Sequence, residues 1–244
     1  MSAMTLAPEV ARSPARPKAA ASKVPPLENG DRLTRAEFER RYHAMPHVKK
    51  AELIEGIVYM PSPVRLTQHG EPHGAMAGWV FYYKSKVPTL RLGDNATSRL
   101  DLDNEPQPDV MLLLPEAAGG QARIDAEGYV VGAPELVIEI AASTASIDLN
   151  QKLHAYRRNG VREYVVWRFG DGEIDWFDLV DERFVRREPD ERGRLASRVF
   201  PGLVLDVAAM IAIDAQKIVA TVDEGCKTPE HAEFAKRLAT VAAG

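Results

Sequence analysis

The chain has 244 residues, 45% of them apolar, enough to bury a sizeable core and to exclude disorder throughout. Its 31 lysines and arginines stand against 35 aspartates and glutamates, a formal charge of −4, so bulk positive charge does not hold it on nucleic acid and any such contact has to be local. A single cysteine, Cys226, excludes an intrachain disulfide framework and a thiolate-built zinc site.

Residues 1–30 carry Pro8, Pro14, Pro17, Pro25 and Pro26 among Ala, Ser and Lys. They read as a disordered arm, without the apolar stretch of a signal peptide. Thr34, with Glu37 three residues on, has capping-box spacing and opens a short helix to about Tyr42. Over Ala51–Met60 two short β-prone stretches flank Glu55-Gly56, a hairpin pattern. After the break at Pro61-Ser62-Pro63, residues 73–87 have helical apolar spacing, closed by Pro88. Strands are expected at 97–102, 109–114 and 135–140; the last is apolar on both faces, which puts the centre of the sheet there.

A helix over 148–158, ended at Gly160, and a strand over 163–167 complete a β-α-β unit. Strands at 173–179 and 183–188 form an antiparallel pair, and 205–213 closes the domain. The chain therefore divides into the arm (1–30), a mixed α/β domain (31–215) and a C-terminal helical tail (216–244) with no visible partner. Leu203–Ile213 is interrupted by Asp206, and no apolar run reaches the roughly 20 residues of a membrane span. The expectation is a soluble, cytoplasmic protein with no membrane partner.

Three carboxylates fall on expected strands: Glu52, Asp109 directly after Pro108, and Glu139 inside Leu136-Val137-Ile138-Glu139-Ile140. An unpaired charge in so apolar a run costs several kcal/mol, so Glu139 needs a cation. That cation is a divalent metal, Lys152 on the next helix, or both. Two carboxylates with a backbone carbonyl and water suit Mg²⁺ or Mn²⁺ better than zinc. The implied chemistry is metal-assisted phosphoryl hydrolysis, with the lysine orienting the nucleophile or stabilising the transition state.

Several spaced blocks, Ala51–Gly56, Gln107–Val110, Gly132–Ile140, Ser143-Thr144, Lys152-Leu153 with Tyr156, and Gly160–Tyr164, resemble the Uma2 family of endonucleases over about residues 33–213. That family lies in the PD-(D/E)XK nuclease superfamily. The resemblance implies a restriction-endonuclease-like fold, a central mixed β-sheet flanked by helices, and a metal-dependent site acting on DNA. By position, Asp109 matches the motif aspartate and Glu139 the acid of the (D/E)XK half, the metal ligands. Ala141 stands where the general pattern has its lysine, and Lys152 matches the Uma2 variant that supplies the lysine from the next helix. Glu52 matches the first acidic position, as an additional ligand or orienting group.

Tyr156 reads as a core residue of its helix, and His69 and His73 are given no role. Lys152, Arg157, Arg158, Arg162 and Arg168 against Glu163 make a locally basic stretch, which reads equally as a phosphate-binding surface or as a solvated helix face. The leading expectation is a Mg²⁺- or Mn²⁺-dependent DNA endonuclease, working as a homodimer where both strands are cut. The alternatives are a catalytically inactive nucleic-acid or protein interaction module on the same fold, and a hydrolase of a small phosphorylated substrate.

Overall fold

A computed structural model of the protein describes residues 24–60, 64–142 and 144–242. The Thr34 hydroxyl accepts from the Glu37 amide and opens helix α1 (Arg35–His43). Strands β1 (Glu52–Ile54) and β2 (Ile57–Tyr59) form the expected hairpin. Glu55 and Gly56 both have positive φ, 52° and 71°, the turn whose twist suits a two-residue hairpin loop. Hairpin and helix close over Leu27, Phe38, Ala51, Leu53 and Val58. Residues 24–30 therefore belong to the packed fold and not to an arm: Leu27 is buried, and the Gly30 amide donates to the Val58 carbonyl at 2.8 Å. Residues 1–23, the Pro61-Ser62-Pro63 break and Ser143 lie outside the described residues.

A π-helical turn (Leu66–Gly70) leads into helix α2 (Glu71–Lys86). Strand β3 (Arg91–Asp94), absent from the sequence reading, is an edge strand whose RLGD sequence has a single large apolar residue. Of the strand expected at 97–102, only β4 (Ser98–Arg99) forms. Strand β5 (Val110–Leu113) follows, then the two-residue strands β6 (Arg123–Ile124) and β7 (Val130–Val131), which join β4 in a small sheet. Strand β8 (Leu136–Ala141) is buried at all six positions.

The expected helix after β8 is built in three parts: α3 (Ala145–Ile147), a π-helical turn (Asp148–Lys152) and α4 (Leu153–Arg158). Gly160, at φ 83°, ends it. Strands β9 (Glu163–Arg168), β10 (Glu173–Val180) and β11 (Arg183–Arg187) follow, then β12 (Arg194–Ala196), β13 (Val204–Asp206), α5 (Val207–Ile211), α6 (Ala215–Gly225) and α7 (Pro229–Ala242).

The main sheet has the order β11-β10-β9-β8-β5-β3. Only β8 and β9 run parallel, because the helical crossover between them returns the chain to the same end. Side chains alternate along β8: Leu136, Ile138 and Ile140 enter the large core, and Val137 and Ala141 enter a second one on the opposite face. The large core includes Trp79 and Tyr83 of α2, Phe200, and Ile218, Val222, Phe234 and Leu238 of α6 and α7. The fold is mixed α/β, a central mixed sheet flanked by helices.

The C-terminal helices are thus integral to the core, not an appendage. The Tyr83 hydroxyl donates to the Pro201 carbonyl at 2.9 Å, and His231 Nδ1 lies 2.8 Å from the same oxygen. Leu238 is fully buried. Leu238→Ala is expected to lower unfolding free energy by about 2–5 kcal/mol in urea titrations. A change within about 0.5 kcal/mol, the level of a surface substitution, would contradict the docking of α7.

Candidate active site

The second face of the sheet carries the acids. The β5–β8 register pairs Val110 with Ile138. One step further along these antiparallel strands sets Asp109 opposite Glu139, with both side chains on the same face. Asp109 Oδ2 accepts from the Ile140 amide at 2.8 Å, which fixes that carboxylate against β8.

Lys152 arrives from the π-helical turn. Its Nζ lies 3.0 Å from Glu139 Oε1, 3.1 Å from Glu52 Oε1 and 3.7 Å from Asp148 Oδ1. Tyr156, one turn on, donates its hydroxyl to Glu139 Oε1 at 2.8 Å. Glu52 Oε1 also accepts from the Gln107 amide at 2.7 Å, so the hairpin is tied to the strand-entry loop through this carboxylate. The hairpin buries Glu52, in place of exposing it to solvent. On the other side of Asp109 stand Lys50, its Nζ 3.8 Å from Oδ1, and His69, its Nε2 3.3 Å from Oδ2.

All four sequence-expected residues, Glu52, Asp109, Glu139 and Lys152, line one cleft of about 920 Å³. Asp148, Lys50, His69 and His73 line it too and were not assigned from the sequence. Asp148 had a usable signal, its i, i+4 spacing to Lys152 on one helix face. His73 Nε2 lies 3.0 Å from Asp94 Oδ1 and 3.2 Å from the Asp109 carbonyl oxygen, contacts that depend on the unanticipated strand β3. Lys50, in the loop before β1, has no local sequence pattern that marks it.

The electrostatics follow from burial. In this network four carboxylates (Glu52, Asp109, Glu139, Asp148) meet two ammonium groups (Lys50, Lys152), an excess of two negative charges. Burial pushes the Glu139 carboxyl up; Lys152 opposes this and the charges of Asp109, Asp148 and Glu52 add to it, leaving it at about 8. Burial likewise raises Asp148. Burial also acts on Asp109, but contact with His69, the Lys50 charge and the Ile140 amide outweigh it and hold that carboxyl below its ordinary value. Burial disfavours the Lys152 charge, yet Glu139, Glu52 and Asp148 keep the ammonium well above its ordinary range.

Among the described residues no three or more His, Cys, Asp or Glu side chains are arranged to hold a metal ion. The donors that Asp109 and Glu139 offer are hard carboxylate oxygens, the ligand type of a cation that takes one or two carboxylates and keeps several waters.

Residues 35–208 match the sequence pattern of Uma2, described as "Putative restriction endonuclease". The chain belongs to the Uma2 family. Among solved structures, the Uma2 chain resembles a "putative nuclease belonging to DUF820" from Anabaena variabilis, at a TM-score of 0.53 and 14% identity, over 71% of this chain and 96% of that one. This likeness is one of fold, the restriction-endonuclease-like arrangement. No curated protein matches. No helix among the described residues is long and apolar enough to cross a membrane.

Most of the basic stretch over 151–168 is already engaged in this Uma2 chain. Lys152 is buried in the site; Arg158 pairs with Glu55 and Asp101, Arg168 with Asp171, Glu173 and Asp175, and Arg157 donates to the Glu182 carbonyl. Hairpin docking brings Glu55 to Arg158, and the β9–β10 turn brings Asp171, Glu173 and Asp175 to Arg168, acids that lie outside a charge count over 151–168.

In metal-free protein Glu139 keeps its proton in the native state up to about 8, against an ordinary 4.5 when unfolded. The native state then binds more protons than the unfolded state across that window, so this residue makes stability fall as pH rises through it. Urea unfolding in a chelator is expected to give a flatter profile for Glu139→Gln than for wild type between about pH 5 and about pH 8. Parallel profiles would contradict the raised carboxyl.

Proposed function

We propose that this chain is a Mg²⁺- or Mn²⁺-dependent endonuclease that hydrolyses DNA phosphodiester bonds. The observation that carries the reading is Asp109, directly before β5, beside Glu139 of β8, with the Lys152 ammonium on Glu139 from the following helix. Family membership supplies the reaction class. Asp109 and Glu139 are the residues that would hold the metal, which when bound supplies Lewis acidity toward a phosphoryl oxygen and a water of lowered pKa.

The protein's own groups do the positioning. The Ile140 amide and His69 both hold Asp109 Oδ2, with Lys50 facing Oδ1, and Tyr156 and Lys152 hold Glu139 Oε1. Lys152 holds a permanent positive charge at the base of the cleft, where it stabilises negative charge developing on a phosphodiester and orients the attacking nucleophile. Glu52 acts through Lys152, as an orienting group that keeps the ammonium from swinging onto Glu139 alone.

One such site cuts one strand, so the expected product from supercoiled plasmid is the nicked circle, with linear DNA only where two copies act together. Nicking is expected with Mg²⁺ or Mn²⁺ and not in chelator. Asp109→Asn and Glu139→Gln, which preserve side-chain shape, are expected to reduce it by at least about a hundredfold. Undiminished nicking by either variant would contradict the assigned roles. Absence of cleavage of any nucleic acid by folded wild type with metal would favour the interaction-module reading.

A further inference from the structure

The acids of the site are deep. Asp109, Glu139 and Lys152 are 4%, 3% and 5% exposed, and Asp148 2%, at the base of a cleft of about 920 Å³. That volume falls in the range of sites built for small ligands, about 300–1,000 Å³. A B-form duplex, whose major groove alone is about 12 Å across, does not fit within it, whereas a phosphate reaching these carboxylates has to sit near the base. A second feature is the sorting of charge within the cleft. Lys152 stands among Glu52, Glu139 and Asp148, whereas Lys50 stands by Asp109, with Arg65 also lining the cleft. Lys50 is joined to Asn95 by a 2.9 Å hydrogen bond, and Asn95 Nδ2 lies 3.5 Å from His73 Nε2, so the two groups stand on one wall beside Asp109. The exposed Val64 lines the same cleft next to Arg65, as do Tyr59 and Met60, which puts apolar surface beside a cation.

Resting on the nuclease reading of the same site, we infer that the cleft takes a single unpaired DNA strand, whose phosphates lie along the Lys50, Arg65 and His69 wall, and not an intact duplex. A strand entering alone lays its backbone against Lys50 and Arg65, brings one phosphate to Asp109 and Glu139, and turns its bases toward Tyr59 and Val64, the pairing of basic groove and aromatic surface that single-stranded nucleic acid sites use. A paired target has to be opened first, which slows cleavage by at least about tenfold.

The test compares wild-type cleavage, with Mn²⁺, of one oligonucleotide sequence presented single-stranded, fully paired, and paired with a central unpaired bubble, alongside bis(p-nitrophenyl) phosphate as a small diester. The inference expects cuts in the single strand and within the bubble, at least about tenfold faster than in the paired form. It also expects Lys50→Ala to weaken binding of the single strand, measured by fluorescence anisotropy in chelator, more than binding of the duplex. Equal or faster cutting of the paired form would overturn the inference and leave the nuclease reading standing. Hydrolysis of the small diester without cutting of either DNA form would overturn it in favour of a small substrate. No reaction with any of the four would overturn the nuclease reading and this inference together.

Discussion

A buried ammonium group holds the site of this protein together. Lys152 reaches Glu52 on the N-terminal hairpin, Glu139 on the central strand and Asp148 on its own helical turn, three segments that share no other charged partner of this kind. Neither the lysine nor the acids are tolerable at this depth alone, since each isolated buried charge costs several kcal/mol. Removing the lysine leaves three acids without it, a change of the kind that destabilises by about 3–5 kcal/mol. Its structural and chemical duties are therefore inseparable, and the isosteric carboxylate variants separate chemistry from folding more cleanly.

The sheet supplies the second constraint. Glu139 faces the site because residues on either side of it, Ile138 and Ile140, face the large core, and a slip of one residue in β8 would bury the acid in that core. The same register sets Asp109 beside it. Both short π-helical turns border the cleft, one carrying His69 and the other Asp148 and Lys152. The extra residue in such a turn re-aims side chains out of ordinary helical rotation, a device frequent at functional sites. Together these features give a buried network with more negative than positive charge, which raises the Glu139 carboxyl above its ordinary range.

Much of this was legible in the sequence where the signal is local. The Glu55-Gly56 hairpin, the two-sided strand around Glu139 and the β-α-β unit to Tyr164 follow from period and turn chemistry, and the acid in an apolar strand demanded a partner that Lys152 supplies. Parts that depend on distant neighbours were not legible. Strand β3 exists because β5 offers it an edge, not because RLGD favours strand. Leu27 packs in spite of its proline-rich surroundings because the hairpin covers it. Arg158 and Arg168 looked available for phosphate, but the fold pairs them with Glu55, Asp101, Asp171, Glu173 and Asp175, and Lys50 and His69 matter only because the fold sets them on Asp109.

The central claim is that Asp109 and Glu139 form a divalent-cation site whose charge the protein otherwise balances with a proton. Calorimetric titration of Mn²⁺ into the full chain near neutral pH, repeated in buffers of different ionisation enthalpy, tests it most directly. The account predicts saturable binding with proton release, because the cation displaces the proton that Glu139 keeps up to about 8, and loss of both in Glu139→Gln. Absence of binding, or binding unchanged by Glu139→Gln, would contradict it.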